Sequence, residues 1–480
     1  MRRVFFSNLL FVVLLNLLVK PLWVLGIDRG VQNLLGRETY GLYFALFNLS
    51  YMLNILIDMG VTYYNSRAVS GNPSLLRNMF AEAVVLKLLL SAVYLIGSVC
   101  VAVLWGIRET ALVWLLVLCF NQIVQSFTIY LRSNLSALQH YRLDSVVSVA
   151  DKVLMIALFG FLLWTPFFRN DFTLNWFVYG QSLCLVATLA LAVWLNMRHA
   201  GKINWNVDTS TLRHVWSRAY PYAVLVLFMS VYAKADGVML ERMVSATEAG
   251  VYASGYRLFD ATNQFGYLFA MLLMPIFSRM LASNEKVQSL AESGFAALFI
   301  FTVTAASASL IYRNELMHLL YREADAYGAN VFAVIMCSLP GSALVYVYGT
   351  LLAANANLKQ LNVITAAGAI VNLGLNAWLI PAHGALGAAG VSVVTHTLVG
   401  LLEIAACARL LGFHRDLRFV ARLVAFGALS LLVFYLSRAW VLTWELGIVA
   451  GGVLSGALAV GTRLVRPQQM LSLVRLRGAR

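Results

Sequence analysis

Charge is what this sequence has least of. Only 12% of its 480 residues are Asp, Glu, Lys or Arg, against 61% hydrophobic. A soluble domain carries roughly 25% charged residues and about 45–50% apolar ones, so a water-soluble fold is excluded. Cysteine is scarce too: Cys100, Cys119, Cys184, Cys337 and Cys407 all fall in apolar segments, with no CxxC and no histidine at zinc-finger spacing. That excludes a disulfide framework and a metal site from expectation. The seven histidines are dispersed, and HExxH, a Walker A glycine loop and a nucleophile elbow are all missing. No catalytic constellation and no cofactor are expected. Long polar connections are missing as well. The longest runs from Arg198 to Arg213, too short for a soluble domain. The net charge of +14 does not point to nucleic acid, because the basic residues sit in short blocks between apolar runs rather than along one phosphate-tracking face.

What is present is a series of apolar runs of about 20 residues, the length that crosses a bilayer core. About fourteen are predicted: 5–27, 40–65, 79–105, 111–134, 144–165, 173–197, 214–235, 249–275, 289–312, 327–354, 361–381, 385–410, 418–437 and 441–462. The first is longer than a signal-peptide core and carries Lys20-Pro21 where a cleavage site would need small residues, so it reads as a retained helix. The proline should kink it. Basic clusters (Arg198/Lys202/Arg213, Arg415/Arg418/Arg422 and the tail from Arg463 to Arg480) place both termini in the cytoplasm. The loops on the opposite side then hold the acidic residues, among them Asp28, Glu38, Asp236 and Glu248.

One pattern occurs twice. Asp28 begins a segment ending Glu38-Thr-Tyr-Gly41-Leu-Tyr43, and Asp236 begins one ending Glu248-Ala-Gly250-Val-Tyr252. Six spans separate the copies, so both enter the membrane in the same direction. The fold class that follows is an all-α polytopic membrane protein built from two six-helix lobes, related by a pseudo-two-fold axis along the membrane normal. The lobes are residues 1–197 and 214–410, joined by a cytoplasmic linker at 198–213. Residues 411–480 add helices 13 and 14 and a basic cytoplasmic tail.

A charge at a helix centre is unfavourable by roughly 2.5–3.5 kcal/mol on translocon scales, so intramembrane charges usually face a cavity or a partner. Lys20, Lys152 and Arg257 are the candidates for a cationic cavity, with Arg67 at the cytoplasmic end of the second span a gate candidate. Lys87 and Lys234 lie where snorkelling to a surface would satisfy them. Asp58, Asp151 and Asp260 are candidates for ion coupling, though structural ion pairs leave the same trace. Arg257 and Asp260 share a helix face and could neutralise each other. Asp151 and Lys152 point about 100° apart and are not expected to pair well. At least one of them should find a partner on another helix.

The segment Asn362 to Thr397 holds paired Asn372 and Asn376, Ile380-Pro381, a short turn at Gly384, and Gly387-Ala-Ala-Gly390 opening the next helix. It resembles the bacterial polysaccharide (O-antigen) flippases of the multidrug/oligosaccharidyl-lipid/polysaccharide exporter superfamily. Glu38–Tyr43 and Asp236–Tyr252 look like that family's approaches to helices two and eight, so the likeness covers spans 1–12. The resemblance implies alternating access by two six-helix bundles. It implies a cargo of lipid-linked oligosaccharide on undecaprenyl pyrophosphate, moved to the outer leaflet of the bacterial cytoplasmic membrane for lipopolysaccharide or other surface glycan. A pyrophosphate needs a cationic interior. The family's basic cavity residues lie mainly on helices one, two, seven and eight, which Lys20, Lys234 and Arg257 match by helix. The small-residue runs around Gly368, Gly374 and Gly387–Gly390 would let helices pack closely. Implied partners are the lipid bilayer, H+ or Na+ as coupling ion and polysaccharide-assembly enzymes, with no nucleic acid. A cation-coupled drug or metabolite exporter of the same superfamily and a membrane enzyme of glycan assembly are the alternatives.

Overall fold

The computed structural model describes residues 19, 21–62, 65–66, 69, 72, 75–200, 209–414, 416–441, 443–462 and 464, without the side chains of 77–78, 200 and 209–223. The chain is an all-helical membrane protein. Among the described residues, eleven helices are long and apolar enough to cross a bilayer. The longest, Leu358–Leu411, contains two spans, because Gly384 (φ 54, ψ −135) breaks it. The helix Thr209–Met243 supplies the seventh expected span. The predicted first span lies mostly outside the described residues. By internal contacts the chain forms two units, Met1–Gly250 and Val251–Arg480. The linker predicted at 198–213 falls largely outside the described residues.

In the first unit Pro21 precedes a π-helical turn, Trp23–Asp28, and then α1, Arg29–Met52. A proline lacks the N–H that an interior helix position donates, and a π turn is one way the backbone absorbs the loss. An outer loop was expected over 28–39. The chain instead stays helical except at Gly36 (φ 78, ψ 167), a backbone state that a Cβ would strain. Asp28, predicted to lie in that loop, is buried at 2% exposure and accepts a hydrogen bond from the Tyr40 hydroxyl at 2.7 Å. Helix α1 ends at Met52, and a short turn, Ile55–Asp58, follows. The second span is then broken at Met59 (φ 42) and Gly60 (φ 84).

Around this broken span stand α2 (Leu75–Leu104), α3 (Glu109–Ala137), α4 (Tyr141–Trp164), α5 (Leu174–Ala200) and α6 (Thr209–Met243). Trp23, Tyr43, Phe159 and Phe177 pack at centroid distances of 5.0–6.3 Å, joining the π turn, α1, α4 and α5. Such edge and offset ring contacts add to area burial. A second core gathers Val61, Phe80, Tyr130, Leu135 and Ala192. On the opposite face of α2, Leu88, Leu89, Val93 and Ile96 are each more than half exposed. A continuous apolar face of that size is stable only when lipid covers it.

The second unit contains most of α7 (Ala246–Ala282), then α8 (Gln288–Ile311) and α9 (Ala326–Met336). Asp325 caps α9, accepting from Gly328 N at 2.7 Å. The tenth span continues through Leu339–Leu344, a π-helical turn Val345–Gly349, and Thr350–Ala354. It packs against α10, Leu358–Leu411. The predicted close packing at Gly374 and Gly390 is absent, since nothing lies within 4 Å of an added Cβ at either. At Gly387 the approach is tight, a Cβ there meeting Leu379 O at 2.7 Å, and further tight approaches fall outside the predicted runs. A Cβ on Gly341 would meet Thr397 N at 2.8 Å, and one on Gly400 would meet Leu344 Cβ at 2.4 Å. Helices α11 (Leu417–Trp440) and α12 (Trp444–Gly461) pack on each other and on α8, sharing a core of Val303, Phe426 and Ala459.

Candidate functional site

Among the described residues, the interior of the first unit carries charge on the Ile55–Asp58 turn and on α2, α4 and α6. Lys87, on α2, is completely buried. Its ammonium donates to Asp58 Oδ1 at 2.5 Å and to Ser126 Oγ at 2.8 Å, and lies 5.8 Å from the centre of the Phe127 ring. Snorkelling, the sequence expectation for Lys87, is therefore overturned. The break after Asp58 turns the carboxylate so that it also accepts from the Thr62 hydroxyl and from Thr62 N at 3.3 Å. A buried ammonium needs such a partner, because desolvation of the lone ion would cost several kcal/mol. The signal was present in the sequence: an Asp inside span two and a Lys inside span three, each too costly to leave alone.

Lys152 and Asp151 do pair, at 3.2 Å, contrary to expectation. Their Cα–Cβ directions diverge, but the flexible lysine stem bends back far enough to close the gap. Lys152 also meets another element, its ammonium standing 5.2 Å over the Trp23 ring of the π turn. Both side chains remain partly open, 27% for Lys152 and 14% for Asp151. Lys234, on α6, is half-buried and stands 5.3 Å over the Tyr51 ring. Each ring face attracts a cation without neutralising it. Polar side chains continue this interior: Asn54 reaches Gln122 at 3.4 Å, and Asn121 is buried with neither amide atom partnered among the described residues. In the second unit Arg257 is half-buried and Asp260 exposed, so the two do not share one environment. Lys20 and Arg67 lie outside the described residues.

The repeated motif has a physical use. A Cβ on Gly41 would stand 1.8 Å from Ala246 O, and one on Gly250 would stand 2.0 Å from Arg37 O. The two glycines thus let α1 and the first turn of α7 touch backbone to backbone. Gln32 Nε2 seals the contact by donating to Gly250 O at 3.1 Å. The other repeated positions correspond as well. Asp28 and Asp236 are each 2% exposed, so Asp236 too is buried rather than in an outer loop. Tyr43 accepts from Gln181 on the sixth span at 3.0 Å, and Tyr252 bonds Ser392 on the twelfth at 3.1 Å.

Chemically, the first unit offers half-buried ammonium groups flanked by aromatic faces, an environment that suits an anionic group carried on an apolar body.

A family model described as "Polysaccharide biosynthesis protein" matches residues 7–281, more than half of the chain. No curated protein is significantly similar in sequence. Among solved structures, the lipid II flippase MurJ in an inward closed conformation matches with a TM-score of 0.72 at 11% identity, covering 95% of this chain and 99% of that one. An inward-facing multidrug resistance MATE family transporter of the MOP superfamily matches with a TM-score of 0.63 at 13% identity, covering 84% and 94%. A MOP superfamily transporter from Pyrococcus furiosus, described by a binding pocket of reverse polarity, matches with a TM-score of 0.57 at 12% identity, covering 85% and 94%. At these identities the structural likeness establishes the fold, and the family match establishes descent: the chain belongs to the polysaccharide biosynthesis protein family and has a MurJ- and MATE-like fold.

Proposed function

We propose that this protein is a flippase that carries a lipid-linked oligosaccharide or polysaccharide unit, on undecaprenyl pyrophosphate, from the inner to the outer leaflet of the bacterial cytoplasmic membrane. The observation that carries the reading is the pair of half-buried ammonium groups, Lys152 over Trp23 and Lys234 over Tyr51, inside a member of the polysaccharide biosynthesis family. A pyrophosphate crossing hydrocarbon needs such cations. Lys20, Arg67 and Arg257 complete the proposed cationic set, and Asp58, Asp151 and Asp260 remain proposed coupling positions. Both termini are cytoplasmic in this reading.

Two six-helix lobes, 1–197 and 214–410 about the linker 198–213, would open alternately to each side. The matched contacts of Tyr43 and Tyr252 support that division. Under it, Gly41 and Gly250 join the two lobes at the outer side, and separating them opens the path outward. The cycle would draw on an H+ or Na+ gradient and work beside polysaccharide-assembly enzymes.

The test is glycan export in a strain lacking the chain. Lipid-linked glycan should accumulate on the cytoplasmic face, cured by wild type but not by Lys152→Ala or Lys234→Ala. Normal surface glycan with a new drug sensitivity would sink the flippase reading and favour a drug exporter, the alternative suggested by the MATE-like fold.

A further inference from the structure

Glu403 has no role in the cationic interior of the first unit. It sits on the second half of α10 and is 1% exposed. Its carboxyl lies against the backbone of Gly349, where a Cβ would stand 2.9 Å from Oε1 and 3.1 Å from Oε2. Oε2 is buried and has no hydrogen-bond partner among the described residues. The groups around it are neutral or acidic. Tyr348 lies on the tenth span, Cys407 follows on α10 with its thiol 3.7 Å from Tyr348 O, and Glu292 on α8 faces Tyr348. No Lys, Arg or His among the described residues forms an ion pair with Glu403.

A buried carboxylate with no counter-ion is far costlier than a buried carboxylic acid, so the group takes up a proton or a metal cation. A cation bound in the wall would need several oxygen ligands. Around Glu403 the packing is too tight for that: Gly349 is in contact with the carboxyl, and Gly341 and Gly400 close the same helix pair further along. A proton needs no such space. The backbone facing the carboxyl is also unusual, since Gly349 ends the π turn Val345–Gly349. Such turns occur frequently at functional sites. Returning Val345–Gly349 to α-helical pairing would rotate Gly349 off the carboxyl and admit water, and the acid could then ionise.

We propose that Glu403 is a proton-carrying site of the second unit, protonated while it is packed against the Val345–Gly349 π turn and ionised when that turn shifts away. This deepens the proposed flippase reading and rests on it for the use made of the proton. It adds Glu403 to the proposed coupling positions Asp58, Asp151 and Asp260, and names H+ as the ion it carries.

The experiment uses the purified full-length chain in liposomes, in two arms. Infrared difference spectra at neutral pH should show a protonated-carboxyl C=O band in wild type that is lost in Glu403→Gln. A band that is absent from wild type, or unchanged in the variant, overturns the proposal, as does a band abolished by Na+ at constant pH. The second arm follows flipping of a labelled lipid-linked oligosaccharide with and without an inward proton gradient. Glu403→Gln should keep gradient-free exchange and lose gradient stimulation. Stimulation retained in the variant overturns the coupling role. A wild type that flips nothing while showing the Glu403 band would sink the flippase reading and leave the proton site standing.

Discussion

At the scale of the residue, Lys87 and Asp58 show how a membrane helix retains charge. Lys87 is wholly buried while Asp58 is 24% exposed, so the pair is asymmetric. Removing the carboxylate leaves an uncompensated ammonium in the core, whereas removing the lysine leaves a carboxylate that water can reach. Asp58→Ala should therefore cost about 3–5 kcal/mol, the scale for breaking a buried pair. Lys87→Met should cost distinctly less. The double variant should recover most of the loss, because neither desolvated charge remains. Thermal unfolding midpoints of the detergent-solubilised variants provide the measurement. A double variant as unstable as Asp58→Ala would mean the pair is not what holds α2 to the broken second span. Lys87 was legible as a charge in the sequence but not as a partner, because pairing depends on which faces of two separate spans meet.

At the scale of the element, the repeated glycine is the informative feature. In sequence, Gly41 and Gly250 mark only a repeat. In the fold each occupies a point where another backbone leaves no room for a Cβ. Gly41→Ala should force α1 away from the start of α7 and cost about 1–3 kcal/mol, the usual range for overpacking. The substitution should leave insertion unaffected. Gly374→Ala, at an open position, should be neutral or slightly stabilising, since Ala is the better helix former by about 1 kcal/mol. Equal midpoints for the two variants would argue against the close contact. The expectation about small residues failed at Gly374 and Gly390 for a simple reason. A small residue permits close approach, but only the path of a neighbouring helix decides where approach occurs.

The connection between α3 and α4 carries a pH-sensitive element. The His140 ring lies 4.5 Å from that of His199. Burial, and then the neighbouring His199, hold His140 below the ordinary histidine value. A group whose folded pKa is depressed contributes stability that is fully present above its unfolded value, about 6.5, and lost as pH falls toward the folded one. Acidification from about pH 7.5 to 5.5 should thus lower the unfolding midpoint of the wild type. His140→Gln should reduce that dependence, and an identical slope in the variant would assign the acid sensitivity elsewhere.

For the whole molecule, the proposed alternating access would require that the Gly41–Gly250 contact break during each cycle. A short bifunctional thiol linker between Arg37→Cys and Glu248→Cys, in a background without the native cysteines, should halt glycan flipping in liposomes. Cleaving the linker should restore it. Undiminished flipping by the linked protein would mean that this contact does not open. At the same scale, the packing of α11 and α12 on α8 places the last two helices structurally in the second unit.

The sequence alone determined the membrane class and the approximate place of most spans among the described residues, because each follows from local hydrophobicity over about 20 residues. It also located the helix break at Gly384, where glycine after proline is a local signal. The repeat and the family resemblance were likewise written in short motifs. Tertiary structure decided the rest. It buried Asp28 and Asp236, matched Lys87 to Asp58, bent Lys152 back onto Asp151 and beneath the reach of Trp23, and set Glu403 against a π turn. Each of these depends on contacts between residues distant in the chain. Hydrophobicity fixes which segments enter the membrane, but the cost of an unpaired charge there is settled only by the helix it faces.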